Sequence, residues 1–331
     1  MKLRFASYVF ELLLTGLLAS TVCQCQDLWV ASSRNKYGYI DRQGKIVIPL
    51  HFDFAWDFSE GLAPVWVGSK VGFIDTAGHF VVPTHFDGAR GFHNHLAAVR
   101  LQDLWGFIDK TGKFVAGPGY PEVRDFAEGL AAVVAEGKWG YLDQRGRIAI
   151  FPGYDSTEGF SEGVAAAYRE GKCGFIDKTG AIAIPFKFDK CNHFSEGLAA
   201  VAIDYDWGYV DHASNFKIQP GFDEATAFSE GLAAVAVRGS WGYVDHAGNF
   251  VIQRRFRSQS RRIAADRFSE NKACVREREN WGFIDPSGRF LIPAKFVRGG
   301  TFRDGLAHVC DSTLHCGYID AVGNYIWSAE P

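Results

Sequence analysis

The feature that most constrains this chain is a period. The pair Trp-Gly, followed by an aromatic, an aliphatic residue and Asp, recurs as Trp105-Gly106-Phe107-Ile108-Asp109 and Trp139-Gly140-Tyr141-Leu142-Asp143. It returns at Trp207-Gly208, Trp241-Gly242 and Trp281-Gly282, and weaker copies stand at Tyr37-Gly38, Val71-Gly72, Cys173-Gly174 and Cys316-Gly317. The nine glycines, at 38, 72, 106, 140, 174, 208, 242, 282 and 317, are spaced by 34 six times, then by 40 and 35. A repeat of this length is one supersecondary unit that buries its apolar face only against a neighbour. The chain must therefore fold as an array.

Each unit has readable parts. In Trp-Gly-Tyr-Val-Asp the two aromatics stand two apart, which puts them on one face of a strand. Asp-x-x-Gly follows, with the residue choices of a type I turn, and Ser214 is the departure from Gly in this column. A second strand such as Lys45-Ile46-Val47-Ile48 stops at Pro49. A connector then carries two aromatics six apart (Phe52/Phe58, Phe188/Phe194) and ends in Ser-Glu-Gly. A third strand, Leu198-Ala199-Ala200-Val201, leads through a tight turn into the next unit. No stretch after the N-terminus has a 3.6-residue apolar period, and 37 glycines against one methionine agree with a turn-rich β protein.

The expectation is an all-β tandem repeat of about nine three-stranded antiparallel meanders. Leu28-Trp29-Val30-Ala31 opens it on a strand of the third kind and Asn324-Tyr325-Ile326-Trp327 closes it on one of the second. No terminal strand is left over to complete a shared sheet, so an open curved array is favoured over a closed β-propeller. Strands of about five residues are too short for a membrane barrel, which needs about 9–11. On these motifs the chain resembles the WG-repeat, or KWG-repeat, family over about residues 28 to 327. The resemblance implies a β-rich array of the kind common in bacterial proteins, with binding as its implied activity and no catalytic residue set to carry over.

Lys2 and Arg4 precede an apolar run from Ala6 to Val22, with small residues at Ala19, Ser20 and Thr21. This is the order of a secretory signal peptide. The domain reading is a signal peptide over 1–25 and a single array of nine repeats over 26–331. Glu11 interrupts the run, and Val22 before Cys23 is bulkier than a lipoprotein site carries, so lipidation of Cys23 stays open. Removing 1–25 takes the formal charge from −3 to −4. That balance argues against bulk nucleic-acid binding, and no other apolar stretch is long enough to span a membrane. Cys173, Cys191, Cys274, Cys310 and Cys316 remain. Cys310 and Cys316 close a hairpin between strands and are the best disulfide; Cys173–Cys191 is a weaker candidate.

Departures from the period mark candidate sites. In unit seven the aromatic spacing stretches from 6 to 12, between Phe256 and Phe268, and Arg254, Arg255, Arg257, Arg261, Arg262 and Arg267 gather there. In an acidic chain this loop is the partner-binding candidate for something anionic. In unit two His79, His85, His93 and His95 fall within 17 residues. His93 and His95 share a face, but no carboxylate or cysteine set stands at ligand spacing, so no metal and no cofactor is expected. The aromatic columns read as core, the turn aspartates as turn formers and the Glu column as a solvated turn. Nucleophile motifs and phosphate-cradling loops are absent from the sequence.

The expected protein is an exported, noncatalytic binding or scaffold module for protein or glycan, periplasmic, envelope-associated or secreted. The alternatives are a carbohydrate-active envelope enzyme with its site in unit two or seven, and a structural spacer.

Overall fold

A computed structural model describes residues 27–257 and 264–329. The signal-peptide reading of 1–25 and the lipidation question at Cys23 therefore lie outside the described residues. Nine antiparallel sheets follow one another along the chain, and no helix occurs among the described residues. The fifth sheet is typical: Ser156–Thr157, Val164–Arg169, Lys172–Asp177 and Ile182–Phe188, hydrogen-bonded in that order. The first and fourth sheets have three named strands, and in the fourth the bridge Val123–Val133 marks where the extra strand would lie.

Two expectations need correction. The sheets are mostly four-stranded, because the connector contributes a strand that the sequence did not announce. That strand is only two residues long in several blades (Phe54–Ala55, Glu224–Ala225), too short to show alternation. The array is also closed: it is a nine-bladed β-propeller, not an open curve. Nine apolar clusters fill the nine interfaces between consecutive blades, and the ninth unites Trp29, Ala31 and Ile40 of the first blade with Leu306 and Tyr318 of the last. The Tyr318 hydroxyl donates to the Val30 carbonyl at 3.0 Å, and Arg303 meets Asp57 at 3.2 Å. The ring closes by face-to-face packing, so the missing leftover strand carried no information about closure.

The blade interface repeats one contact. The aromatic two positions before the turn aspartate is buried (Phe73, Phe107, Tyr141, Phe175, Tyr209, Tyr243) and packs against the connector phenylalanine of the next blade. Ring centroids lie 4.7–5.0 Å apart from Tyr39–Phe58 to Phe283–Phe302. Such tilted or edge-on pairs contribute about 0.5–1.5 kcal/mol each beyond burial. Where the residue is Tyr, its hydroxyl also donates to a carbonyl of that next strand, as Tyr39 to Trp56 and Tyr209 to Thr226, both at 2.8 Å. Burial pushes these phenols far above their ordinary pKa and keeps them donors.

The repeat glycine faces a bulge. Trp139 pairs with Tyr154 but Tyr141 with Ile150, so the outermost strand carries two extra residues opposite Gly140. A Cβ on Gly140 would lie 2.6 Å from the Ile150 carbonyl oxygen, and the equivalent glycines are equally confined. The turn aspartates are turn formers: Asp109 Oδ1 accepts the amides of Thr111 and Lys113 at 2.9 and 3.1 Å.

The Glu column is not merely solvated. Each Glu of Ser-Glu-Gly reaches to the following blade, as Glu162 to the Gly197 amide, Glu196 to Gly231 and Glu270 to Gly305, all at 3.0–3.2 Å. The preceding serine caps the same neighbour, Ser195 Oγ donating to the Phe228 carbonyl at 2.8 Å. A cation from the next blade's Asp-x-x-Gly turn completes the clasp, Lys178 to Glu128 at 3.0 Å.

Both disulfides form. Cys310 and Cys316 are directly paired residues within the ninth blade, with Cα atoms 4.0 Å apart. Cys173, standing where Trp usually does, bridges the fifth blade to Cys191 on the innermost strand of the sixth. Cys274 is a buried free thiol.

Gly140→Val is expected to cost about 3 kcal/mol through this clash, against less than about 0.5 kcal/mol for Arg261→Ala; thermal melts of both variants and the parent measure it, and equal midpoints would refute the bulge contact. Acid should loosen the ring. Burial raises the Glu128 carboxyl, but its bonds from Lys178 and Gly163 outweigh this and hold it below the ordinary carboxylate range. The Asp109 and Asp285 carboxyls are likewise lowered, chiefly by their turn hydroxyls. Groups lowered in the folded state stabilise above their unfolded pKa and lose that contribution as pH falls through the folded value. Melting midpoints should therefore drop below about pH 4, and Glu128→Gln should cost about 0.5–1 kcal/mol at neutral pH and flatten part of the acid limb.

Candidate functional site

Strand direction gives the ring two unlike rims. One carries the Ser-Glu-Gly and Asp-x-x-Gly turns with their clasps. The other carries the hairpins that lead into each Trp-Gly strand. On this second rim a lysine entering the Trp-Gly strand pairs with an aspartate 17 residues on, after the outermost strand. Lys36–Asp53, Lys70–Asp87 and Lys172–Asp189 meet at 2.5–2.6 Å, and Lys138 pairs with Asp155 in the same way. The aspartate's other oxygen accepts a hairpin amide of the next blade, Asp53 from Gly68 at 2.6 Å and Asp189 from Asp204 at 2.7 Å. Both bonds hold these carboxyls below their ordinary range, the lysine hydrogen bond most.

The pair is confined to blades one, two, four and five. Leu104 and Pro121, Asp206 and Asp223, and Asn280 and Val297 hold its positions in blades three, six and eight, and blade seven departs from it by gaining positive charge. Ser240 stands at the lysine position and Arg257 at the aspartate position, and the Arg257 Nε donates to the Ser240 hydroxyl at 2.8 Å. Arg238 on the hairpin and Arg254 on the outermost strand, Phe250–Arg257, complete a cleft of about 500 Å³ lined by these four residues and Val237. Among the described residues no carboxylate forms an ion pair with Arg238, Arg254 or Arg257. Asp223 is nearby but accepts the Gly239 amide at 3.2 Å. Guanidinium groups are always charged and offer a planar fork of donors, so the cleft presents donors that match carboxylate, sulfate or phosphate oxygens in geometry and charge.

The six arginines singled out by sequence are thus divided. Arg254 and Arg257 line the cleft. Arg255 turns away, its guanidinium over the Phe256 ring at 5.1 Å and donating to the Gly288 carbonyl of blade eight. Arg267 lies on the innermost strand, Ala265–Ser269, away from the cleft. Arg261 and Arg262 fall outside the described residues. Arg238 and Ser240 were missed, although the 17-residue Lys-to-Asp spacing, and its failure at Ser240/Arg257, was readable.

The histidines of unit two are dispersed. His79 faces Asp75 at 3.6 Å, His85 bonds the Pro83 carbonyl at 3.0 Å and His95 meets Glu60 at 3.2 Å. His93 lines a cavity, beside Asp125 at 3.9 Å. No group of three potential ligands is brought together among the described residues. No helix of the described residues is long and apolar enough to cross a membrane.

Comparison with solved structures places the fold. A eukaryotic initiation factor superposes with a TM-score of 0.65 at 11% identity, covering 92% of this chain and 96% of that one, a likeness of fold alone. The dihydro-heme d1 dehydrogenase NirN aligns at 0.49 and 13% identity over 80% of this chain and 72% of that one. BamB from Moraxella catarrhalis aligns at 0.44 and 13% over 80% and 95%. No protein of curated function matches in sequence. The family model described as "WG containing repeat" matches eight times between residues 37 and 311, in nearly contiguous segments that each run from one Trp-Gly strand to the next and so span parts of two blades. The chain belongs to the WG-repeat family.

Proposed function

We propose that this propeller is an exported, noncatalytic binding or scaffold module of the cell envelope, and that it holds an anionic protein or glycan at the arginine edge of blade seven. The observation that carries the site is the cleft where Arg238, Arg254 and Arg257 converge, at a position closed by a Lys–Asp pair in blades one, two, four and five. A propeller suits the role because the rim can vary while the interfaces stay fixed. The signal-peptide pattern of residues 1–25 and the two disulfides support export, since disulfides persist in oxidising compartments.

Two measurements test this. Protein recovered from the exporting cell should expose a single thiol in denaturant without reductant, Cys274, once residues 1–25 are gone; five titrating thiols would contradict an oxidising destination. Residues 26–331 should bind heparin, as a model polyanion, with an affinity that falls as salt rises. The triple variant Arg238→Ala, Arg254→Ala, Arg257→Ala should bind about tenfold more weakly or worse with its melting midpoint intact. Equal binding by the folded variant would remove the edge from consideration.

A further inference from the structure

A second cavity, of about 680 Å³, opens where the innermost strands converge. Four blades line it: Trp56 and Asp57 from the second, Arg90, His93 and Trp105 from the third, Asp125 from the fourth and Arg303 from the ninth. Only the axis of a closed ring gathers residues so far apart in sequence. The volume falls within the range of about 300–1,000 Å³ that holds a small ligand.

Its charges compensate one another. Arg303 meets Asp57 at 3.2 Å, and Asp125 faces Arg90 at 3.8 Å and His93 at 3.9 Å. A cation or an anion would meet no surplus of opposite charge, and a purely apolar ligand would strip water from all these groups without replacing its bonds. Two features stand open. Trp56 keeps 51% of its surface exposed although it projects from the wall of the cavity. Asp125 lines the cavity with its side chain 37% exposed, its partners Arg90 and His93 stand beyond hydrogen-bond distance, and burial pushes its carboxyl up against their pull. What the site lacks is a hydroxyl donor for that carboxylate and an apolar face for the indole. Trp105 is less available, since Arg90 and Arg100 stand 5.4 and 5.8 Å from its ring centre.

We propose that this axial cavity binds a neutral saccharide, one sugar ring lying on Trp56, with its hydroxyls donating to Asp125 and Asp57 and accepting from Arg90 and Arg303. A sugar ring presents an apolar C–H face together with hydroxyls that both donate and accept, and this is the combination the walls offer. The site shares no residue with the arginine edge, so the two readings stand or fall separately.

The test is to present labelled residues 26–331 to an array of neutral and acidic oligosaccharides, then titrate the best neutral member while following tryptophan fluorescence. Saturable binding is expected, weakened by about tenfold or more in Trp56→Ala and also in Asp125→Asn, and unchanged in Arg254→Ala. Trp56 is exposed enough that its variant should fold, which a melt confirms; Trp56→Phe should recover part of the affinity. The proposal is overturned if the folded parent binds no neutral member, or if Trp56→Ala binds as the parent does. Binding confined to acidic members and lost in the arginine variant would also overturn it and assign the sugar to the rim. Hydrolysis of the bound saccharide would support the ligand class while contradicting a noncatalytic protein.

Discussion

A small twisted sheet with one apolar face cannot bury that face on itself, and in this protein the solution is the aromatic that follows the repeat glycine. It leaves its own blade and lies against the inner phenylalanine of the next, with nearly constant geometry from Tyr39–Phe58 to Phe283–Phe302. The glycine permits this by letting the bulged outermost strand come within van der Waals range of the Trp-Gly backbone. Small alanines in the neighbouring strand, Ala97, Ala131, Ala165 and Ala199, are fully or almost fully buried and keep the sheets close. Every other device, clasps and disulfide included, secures blades that this contact has already placed.

Much of that was legible in the sequence. The two aromatics on either side of the repeat glycine announced a shared face, the Asp-x-x-Gly runs announced turns, and the hairpin position of Cys310 and Cys316 announced their bond. The innermost strand was not legible, because two residues such as Ser156–Thr157 cannot display a period. Closure was not legible either. It depends on how far each blade rotates from the last, and no single unit encodes that in its pattern; the contacts that settle it, Tyr318 to Val30 and Arg303 to Asp57, join residues about 250 to 290 apart in sequence. Of the candidate site, the arginines were visible as a cluster, but only the fold separates Arg254 and Arg257 from Arg255 and Arg267.

The two rims do different work. On one, glutamates and serines bind the backbone of the next blade, so their carboxylates are engaged with amides and lysines. On the other, Lys–Asp pairs in blades one, two, four and five neutralise one another between hairpins. Charge is therefore mostly consumed by the scaffold, and a place where it is not consumed stands out. Blade seven is such a place because Arg257 replaces the acid of the pair. The axial cavity is unlike it: charges there are balanced, and the open elements are an indole face and the Asp125 carboxylate.

The insertion between blades seven and eight has a consequence for how this ring can change over generations. Six residues were added between Phe256 and Phe268, yet Tyr243 still meets Phe268 at 4.9 Å and Ser229 still caps its carbonyl at 2.7 Å. The interface reads the identity of the residues that arrive, and is indifferent to the length of chain that delivers them. A seam of this kind lets novelty be tried at one rim of a single blade while eight others hold the circle, so diversification and stability draw on separate parts of the molecule.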